Sequence, residues 1–153
     1  MATDSEQLMA NGIATGVATF ADFTRETGWS GVDLQRTFCH QVGSTHRKLM
    51  LESLGLPVAR DFATLEWLGN TGSAALPVTL AIGLAEGVAA PGDHLGLLGI
   101  GSGINCLMLG VEFHQARVLG EASLHLPHAP RVAAPRPHFQ TALARGAGEG
   151  KSA

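Results

Sequence analysis

Cysteine, positive charge and long apolar runs are all scarce in this sequence. Only two cysteines, Cys39 and Cys106, occur among 153 residues, and both have apolar neighbours. This excludes a disulfide framework and favours reduced thiols in a cytoplasmic protein. The 10 Lys and Arg residues are outnumbered by 13 Asp and Glu, for a formal charge of −3. Such a chain offers no positive field to nucleic acid or an anionic membrane, so small molecules and protein surfaces are the expected partners.

No segment is predicted to cross or enter a membrane. The longest apolar run, at residues 72–85, contains Pro77 and falls short of the roughly 20 residues that a bilayer requires. The first apolar stretch follows Asp4 and Glu6, whereas a secretory signal begins with positive residues. We therefore expect no export signal, and a buried helix within residues 72–85.

Three helices are predicted from the spacing of apolar residues. The first begins at a capping box of Thr3 and Glu6 and ends near Thr27, because Gly28 can take the left-handed conformation. The second spans residues 44–54, before a glycine and a proline. The third starts at Ser73 as its N-cap and is almost wholly apolar, which predicts a central position.

Three strands are expected to accompany these helices in an α/β domain over residues 1–113. The β-prone segment Thr37–Cys39 leads directly into His40, which places the imidazole at the C-terminal end of a strand. Residues 95–100 and 104–113 form two further strands around a glycine-rich turn. Residues 114–153 carry scattered apolar residues among Pro, His and Arg. They are predicted to form a flexible tail, because such residues bury too little surface to offset the entropy of ordering.

Three motifs could carry chemistry, and each also has a structural explanation. They are Phe38-Cys39-His40-Gln41, Leu68-Gly69-Asn70-Thr71-Gly72-Ser73 and Gly99-Ile100-Gly101-Ser102-Gly103-Ile104-Asn105-Cys106. A histidine at a strand end is commonly a hydrogen-bonded structural residue, an Asn followed by Ser is typical of a helix entry, and glycines make turns. The order of all three motifs along one chain is far more specific than any one of them.

In combination these motifs resemble the C-terminal half of the 3-oxoacyl-acyl-carrier-protein synthase III family, whose members have the thiolase fold. In that family a His-Gln pair ends a strand, a Gly-Asn-Thr segment opens a buried helix, and a glycine-rich turn precedes the last strand. The residues of these motifs are most similar to those of the branch that joins two acyl-CoA molecules in olefin biosynthesis. Val42-Gly43 stands where the usual synthase III pattern has Ala-Asn, a departure that argues against a malonyl-carrier-protein substrate. Acyl-CoA and acyl-carrier-protein substrates are both kept as candidates.

The resemblance implies a Claisen condensation of acyl thioesters to a 3-oxoacyl product, with no metal or other cofactor. His40 and Asn70 are then the catalytic donors that stabilise the enolate oxygen, and removing one such donor typically costs ~10²–10³ in rate. The turn Gly101, Ser102 and Gly103 is assigned to the oxyanion site of a second thioester, because glycines let backbone N–H groups approach closely. Ser102 departs from the usual glycine.

The nucleophilic cysteine of the family belongs to the other half of the fold. Cys39 adjoins His40, but neighbouring strand residues point to opposite faces, and both Cys39 and Cys106 are expected to be core thiols. The enzyme hypothesis therefore requires a protein partner that supplies the cysteine half, or a dimer. The alternative hypothesis is a non-catalytic remnant or interaction module that retains the fold.

Two further patterns are weaker. The turn has the spacing G-x-G-x-G, which does not match a dinucleotide-binding loop, and no Cys or His spacing matches a closed zinc site. His46 is predicted to be exposed on the first turn of its helix, and Arg47 and Lys48 to form a solvated face.

The resemblance also implies that the middle of the sheet is missing from this chain. A gap is then expected between the strand before His40 and the C-terminal hairpin, and unpaired backbone groups there would make the isolated chain prone to aggregation or dependent on a partner.

Overall fold

Helices flank a three-stranded sheet in this protein. The computed structural model describes residues 5–101 and 103–116, so most of the predicted tail lies outside the described residues. The elements, in chain order, are α1 (Ser5–Thr27), β1 (Arg36–Cys39), α2 (Ser44–Ser53), α3 (Leu65–Leu68), α4 (Ala75–Ala85), β2 (Asp93–Gly101) and β3 (Asn105–Phe113), with 3-10 turns at Val58–Arg60 and Gly72–Ala74. The predicted helix–strand pattern is therefore confirmed in order.

The sheet is mixed, with the strand order β1-β2-β3. Strand β1 runs parallel to β2, with Arg36 opposite Leu95 and Cys39 opposite Leu98. Strand β3 is antiparallel to β2, and Gly101 pairs with Asn105 across the turn between them. The expected C-terminal hairpin is confirmed.

The expected gap beside β1 is wrong. In the structure β1 pairs directly with β2, and this pairing is extended by the bonds from Gln35 N–H to the His94 carbonyl and from His40 N–H to the Leu98 carbonyl. The outer edge of β1 is also occupied, because Phe62 N–H donates to the Thr37 carbonyl at 2.9 Å and Cys39 N–H donates to Asp61 Oδ1 at 3.0 Å. Backbone groups at this edge are therefore satisfied by a loop and a side chain, without another strand.

Helices α1 and α2 cover one face of the sheet. Met50 and Leu51 of α2 are buried there, as the apolar spacing of residues 44–54 requires. Gly28, with φ of 72°, ends α1 in the left-handed conformation that glycine permits. The buried cluster comprises Phe23, Leu34, Cys39, Met50, Leu51, Leu54, Leu56, Leu98 and Met108.

Helix α4 covers only part of the opposite face. It lies close to Phe38 of β1 at Gly83, where an added Cβ would come within 2.7 Å of the Phe38 ring. The predicted Ser73 cap is wrong, because the N-cap residue is Ala74 and no side chain caps the helix. Although almost wholly apolar, α4 leaves Val78 exposed, and beyond it Leu107 and Leu109 of β3 are exposed by 64% and 48%. Helix α4 was predicted to be central, but in the structure it is covered on one side only.

Within the described part of the chain, no helix is both long and apolar enough to span a bilayer.

Candidate functional site

A cavity of about 300 Å³ brings together four of the five residues predicted for the site. His40, Asn70, Gly101 and Gly103 all line it, while Ser102 lies outside the described residues. The other lining residues are Leu8, Gly12, Val42, His46, Ile100 and Ile104. A larger open cavity of about 540 Å³ lies toward α4 and shares His40, Asn70 and Gly101. Both predicted donors can therefore be reached by a ligand from either side.

His40 follows the last residue of β1, and the sheet fixes its backbone. Its N–H donates to the Leu98 carbonyl at 2.9 Å. Partial burial lowers the pKa of the imidazole from its ordinary value, and the neighbouring His46 lowers this pKa further. The ring is therefore neutral at neutral pH, with one N–H to donate and one nitrogen to accept.

Asn70 is presented by a short loop between α3 and α4. Gly69 ends α3 with φ of 64° and ψ of −160°, which is a conformation open mainly to glycine. The Asn70 Oδ1 atom then accepts the N–H of Gly72 at 2.9 Å. Because the amide oxygen is engaged within the loop, the NH₂ group is the part of this exposed side chain that remains to donate to a ligand.

The turn between β2 and β3 is strained at one residue that the sequence did not identify. Gly103 has φ of 76°, as a tight turn requires, but Ile104 also has a positive φ of 53°. A β-branched residue in this region costs on the order of 1–3 kcal/mol. Ile104 lines the cavity together with Gly101 and Gly103, so the strain lies at the candidate site. Only the hairpin register of a three-residue connection could have indicated it.

Gln41 makes a set of bonds that sequence reasoning missed. Its side chain is fully buried, and Nε2 donates to the Cys39 carbonyl. Oε1 accepts the N–H groups of Thr64 at 3.2 Å and Leu65 at 3.0 Å. This residue belongs to the His40 motif, but its partners lie far along the chain and no local signal identifies them.

His46 and Arg47 are corrections to the sequence analysis. His46 is half-buried and lines the cavity, and its Nε2 atom is buried without a hydrogen-bond partner among the described residues. Burial lowers the pKa of its imidazole. Arg47 pairs with the buried carboxylate of Asp61 and also donates to the Asp61 carbonyl at 2.9 Å. Arg47 turns inward because the Asp61 carboxylate lies there, whereas His46 turns toward the cavity without such a partner. Only Lys48 is solvated, in an exposed pair with Glu52.

The two cysteines are free, and the surroundings of Cys39 do not activate it as a nucleophile. Cys39 packs in the buried cluster, and burial raises the pKa of its thiol to about 12, with a smaller contribution from the Asp61 carboxylate. A thiol with this pKa is protonated at neutral pH. Cys106 is partly buried against the same cluster.

The helices and the mixed three-stranded sheet have the arrangement of the C-terminal portion of the thiolase fold. More particularly, the family described as 3-oxoacyl-[acyl-carrier-protein (ACP)] synthase III C terminal matches residues 24–112, and the chain belongs to this family.

Relatives of two kinds resemble the chain. The acyl-CoA:acyl-CoA alkyltransferase of Shewanella oneidensis is 39% identical over 113 residues, which are 74% of this chain and 32% of that protein. A crystal structure of an OleA variant from Xanthomonas campestris superposes with a TM-score of 0.70 at 33% identity, over 72% of this chain and 32% of the other. The 3-oxoacyl-(acyl carrier protein) synthase III of Pseudomonas aeruginosa shares the fold, with a TM-score of 0.69 at 24% identity, over 74% of this chain and 36% of that one.

The chain thus spans about one third of the length of the proteins it resembles, at 32% of the Shewanella relative and 33% of the Xanthomonas campestris acyl-CoA:acyl-CoA alkyltransferase.

Proposed function

We propose that this chain provides the donor-bearing C-terminal part of an enzyme that condenses two acyl thioesters. The observation that carries the proposal is the convergence of His40, Asn70, Gly101 and Gly103 on one cavity. His40 is neutral there, and the Asn70 oxygen is already bonded. Both side chains can therefore donate to an oxygen that gains negative charge, which is the requirement of enolate formation.

The reaction we propose has two steps, and this chain serves chiefly the second. In the first step a cysteine thiolate of the absent part takes the acyl group of one acyl-CoA, and free CoA leaves. In the second step a base of the cysteine-bearing part takes a proton from the α-carbon of another acyl thioester, and the enolate oxygen that forms is held by His40 and Asn70. The carbanion attacks the acyl-cysteine carbonyl, a carbon–carbon bond forms, the carbon–sulfur bond breaks, and the cysteine leaves as thiolate. The turn at Gly101 and Gly103 supplies backbone N–H groups to that second carbonyl.

Acyl-CoA is the substrate that we favour over an acyl carrier protein. The Shewanella and Xanthomonas relatives, both named acyl-CoA:acyl-CoA alkyltransferase, match over 74% and 72% of this chain, while the synthase III of Pseudomonas aeruginosa matches over 50%. The Val42-Gly43 departure from the synthase III pattern supports the same choice. A reaction of this kind joins two acyl chains head to head and would belong to olefin biosynthesis.

A protein partner, or a preceding segment of a longer chain, is needed to supply the cysteine. Cys39 does not serve, because it is buried and protonated. The apolar face formed by Val78, Leu107, Leu109 and Val111, which we call the α4–β3 face, is exposed and is the surface on which we place that part of the fold. A reducing cytoplasm suits both the free thiols and the cofactor-free chemistry.

A chimera tests the proposal. The C-terminal third of the Shewanella relative is replaced by this chain, and acyl-enzyme formation and 3-oxoacyl product are measured separately by mass spectrometry. We expect His40→Ala and Asn70→Ala each to leave acylation intact and to lower condensation by ~10² or more. His94→Ala is the matched control, because this histidine stacks on Trp29 with ring centroids 3.9 Å apart and does not line the cavity.

Two outcomes would count against this assignment. Equal loss of both steps in the His40 and Asn70 variants would indicate a structural role for the pair. A folded chimera that is acylated but makes no condensation product would favour the non-catalytic alternative.

A further inference from the structure

A chain of hydrogen-bonded, buried polar side chains runs from Gln41, the residue after His40, through Thr64 to Thr79. All three residues are almost completely buried, with exposed fractions of 0%, 2% and 0%. Gln41 Oε1 accepts the N–H of Thr64, and the Thr64 hydroxyl is bonded to the Thr79 hydroxyl at 2.6 Å. Polar groups in such a position cost free energy unless their bonds are complete, so their presence calls for an explanation beyond packing.

The first end of this chain holds the backbone beside His40. Gln41 Nε2 donates to the Cys39 carbonyl, and the Cys39 N–H is held by Asp61. Both backbone groups of the residue before His40 are therefore bonded to buried side chains. On the other side, the His40 N–H is bonded to β2 through the Leu98 carbonyl. Three bonds on these two adjacent residues thus fix the backbone that carries the imidazole.

The same Gln41 side chain also holds the start of α3, which leads to the loop that carries Asn70. Gln41 Oε1 accepts the N–H groups of Thr64 and Leu65, which are the N-cap and first residue of α3, so it takes the place of a side-chain cap that α3 lacks. Helix α3 has only four residues, a length of about 6 Å. Fixing its start therefore fixes its end at Gly69, next to Asn70.

Thr79 connects the helix that follows Asn70 to the same set of hydrogen bonds. It lies in α4, which begins at Ala75 shortly after the Asn70 loop. Because the Thr64 hydroxyl bonds Thr79, the elements before and after Asn70 are joined to each other as well as to the end of β1. One connected set of bonds thereby relates the two donors, which come from separate parts of the sequence.

We propose that Gln41, Thr64 and Thr79 are positioning residues that set the spacing between the His40 and Asn70 donors. The proposal rests on the proposed function, and it adds residues that do not touch the substrate. A donor pair must be placed within a fraction of an ångström for the transition state, and a misplacement of about 1 Å can cost on the order of 10²-fold in rate. The buried chain supplies that placement without occupying the cavity.

The test compares Thr79→Val, which removes only the hydroxyl partner, with Thr79→Ser, which restores a hydroxyl. In the chimera described above, we expect Thr79→Val to lower kcat of condensation by about 10-fold or more with KM and acylation unchanged, and Thr79→Ser to recover most of that loss. Leu56→Ala is the control for stability, because Leu56 belongs to the buried cluster beneath α1 and α2 and does not line the cavity. It should destabilise the protein at least as much and leave kcat near the starting value.

A second variant tests the same hydrogen bonds by making one of them depend on pH. Gln41→Glu keeps an acceptor for Thr64 and Leu65, but it can donate to the Cys39 carbonyl only when protonated. Relative to the unmodified chimera, its condensation rate should be near normal at acid pH and fall as pH rises. The condensation rate of Thr79→Val, divided by that of the unmodified chimera, should not change with pH. Parallel profiles for the two variants would contradict the proposal.

An arm without catalysis separates this proposal from the proposed function. In the folded chimera, the Asn70 side-chain amide resonance, assigned by its loss in Asn70→Ala, should be sharp and should broaden or split in Thr79→Val. It should recover in Thr79→Ser and be unaffected by Leu56→Ala. If the chimera makes no product but this pattern holds, the proposed function fails and the positioning role stands. If Thr79→Val and Leu56→Ala act alike in both arms, the positioning role is overturned.

Discussion

Cys39 and His40 are neighbours in the sequence but lie in different environments. The alternation of a strand places the Cys39 side chain in the cluster beneath α1 and α2, whereas His40 lines the cavity. Burial raises the pKa of the Cys39 thiol to about 12 from an ordinary 9.0, which lowers its thiolate fraction at neutral pH by about 10³. The proximity of a thiol and an imidazole in the sequence therefore does not produce a nucleophile here.

We predict that the chain alone forms no acyl-enzyme at Cys39 when it is incubated with an acyl-CoA. Mass spectrometry of the intact chain and of its peptides measures this directly. Alkylation with iodoacetamide provides the control, since Cys39 should react readily only after unfolding in denaturant. A stoichiometric acyl adduct on Cys39 of the native chain would show that its environment is more open and more polar than the structure indicates.

Asp61 is the second residue whose burial has a measurable consequence. Its side chain is fully enclosed, and burial raises its pKa to about 6 from an ordinary 3.8, although Arg47, Thr37 and the Cys39 N–H all act in the opposite direction. A carboxyl with a raised folded-state pKa binds its proton more tightly in the folded than in the unfolded state. The stability linked to that proton is complete below pH 3.8 and is lost as pH rises through about 6.

We therefore predict that Asp61 makes the free energy of unfolding fall as pH rises from about 4 to about 6, by at most about 1.4 kcal/mol per pH unit. Urea unfolding at several pH values measures it, and Asp61→Asn should remove this slope. Asp33→Asn is an instructive control. The pKa of Asp33 is lowered, chiefly by its bonds with Ser30, so its effect has the opposite sign and appears only as pH falls below the ordinary carboxyl range. The same slope in the Asp61→Asn variant would assign it to another group.

Among the helices and strands, those with local signals were predicted well. The glycine after Thr27, the apolar spacing in residues 44–54 and the glycine turn before β3 each act within a few residues, and α1, α2 and the β2–β3 hairpin follow them. The proposed donors His40 and Asn70 were selected in the same way, because each lies within a recognisable motif. Their shared cavity is a result of tertiary structure.

The features that were not predicted depend on partners far away in the sequence. Arg47 reads as a surface residue until Asp61 is folded against it, and Gln41 has no signal for its bonds to Thr64 and Leu65. The pairing of β1 with β2 is of the same kind, since the two strands are separated by three helices. Ser73 was misassigned as a cap because a 3-10 turn at Gly72–Ala74 moves the start of α4 beyond it.

Two helix glycines provide a matched test of packing at the level of the elements. Gly83 in α4 and Gly16 in α1 are both buried. A Cβ at Gly83 would lie 2.7 Å from the Phe38 ring and 3.0 Å from Phe62, whereas a Cβ at Gly16 would meet only the flexible end of Met50, at 2.6 Å. Aromatic rings fixed in a core cannot move aside easily, but a methionine thioether can adopt another rotamer.

Gly83→Ala should therefore destabilise the protein by about 1–3 kcal/mol, and Gly16→Ala should be neutral or stabilise it by up to about 1 kcal/mol, because alanine has the higher helix propensity. Equilibrium unfolding of both variants under the same conditions decides it. Equal destabilisation would mean that the α1–α2 contact is as rigid as the α4–β1 contact.

At the scale of the whole molecule, α4 and β3 present an apolar surface that no other described residue covers. Helix α4 has apolar residues on all sides, a pattern typical of helices buried all round. Strand β3 lies at the end of the described sheet, where no further described strand pairs with its outer edge, and its side chains Leu107, Leu109 and Val111 are exposed. Edge strands of this kind promote association with other chains. The gap that the sequence suggested beside β1 is absent. The tendency to aggregate or to depend on a partner, which was expected from that gap, is assigned instead to the exposed side of α4 and β3.

We predict that the isolated chain self-associates through the α4–β3 face, and that the remainder of the fold covers this face in the complete enzyme. Leu107→Lys combined with Leu109→Glu should shift the isolated chain toward a monomer in size-exclusion chromatography, because charged side chains oppose edge-to-edge pairing. In the chimera the same double change should prevent folding or acylation, since the charges would be buried without partners. Val32→Glu is the matched control: Val32 is 78% exposed but lies between α1 and β1, and its replacement should alter neither behaviour. An unmodified chain that runs as a monomer with one sharp thermal transition would contradict this account, because it would show that the exposed face needs no cover.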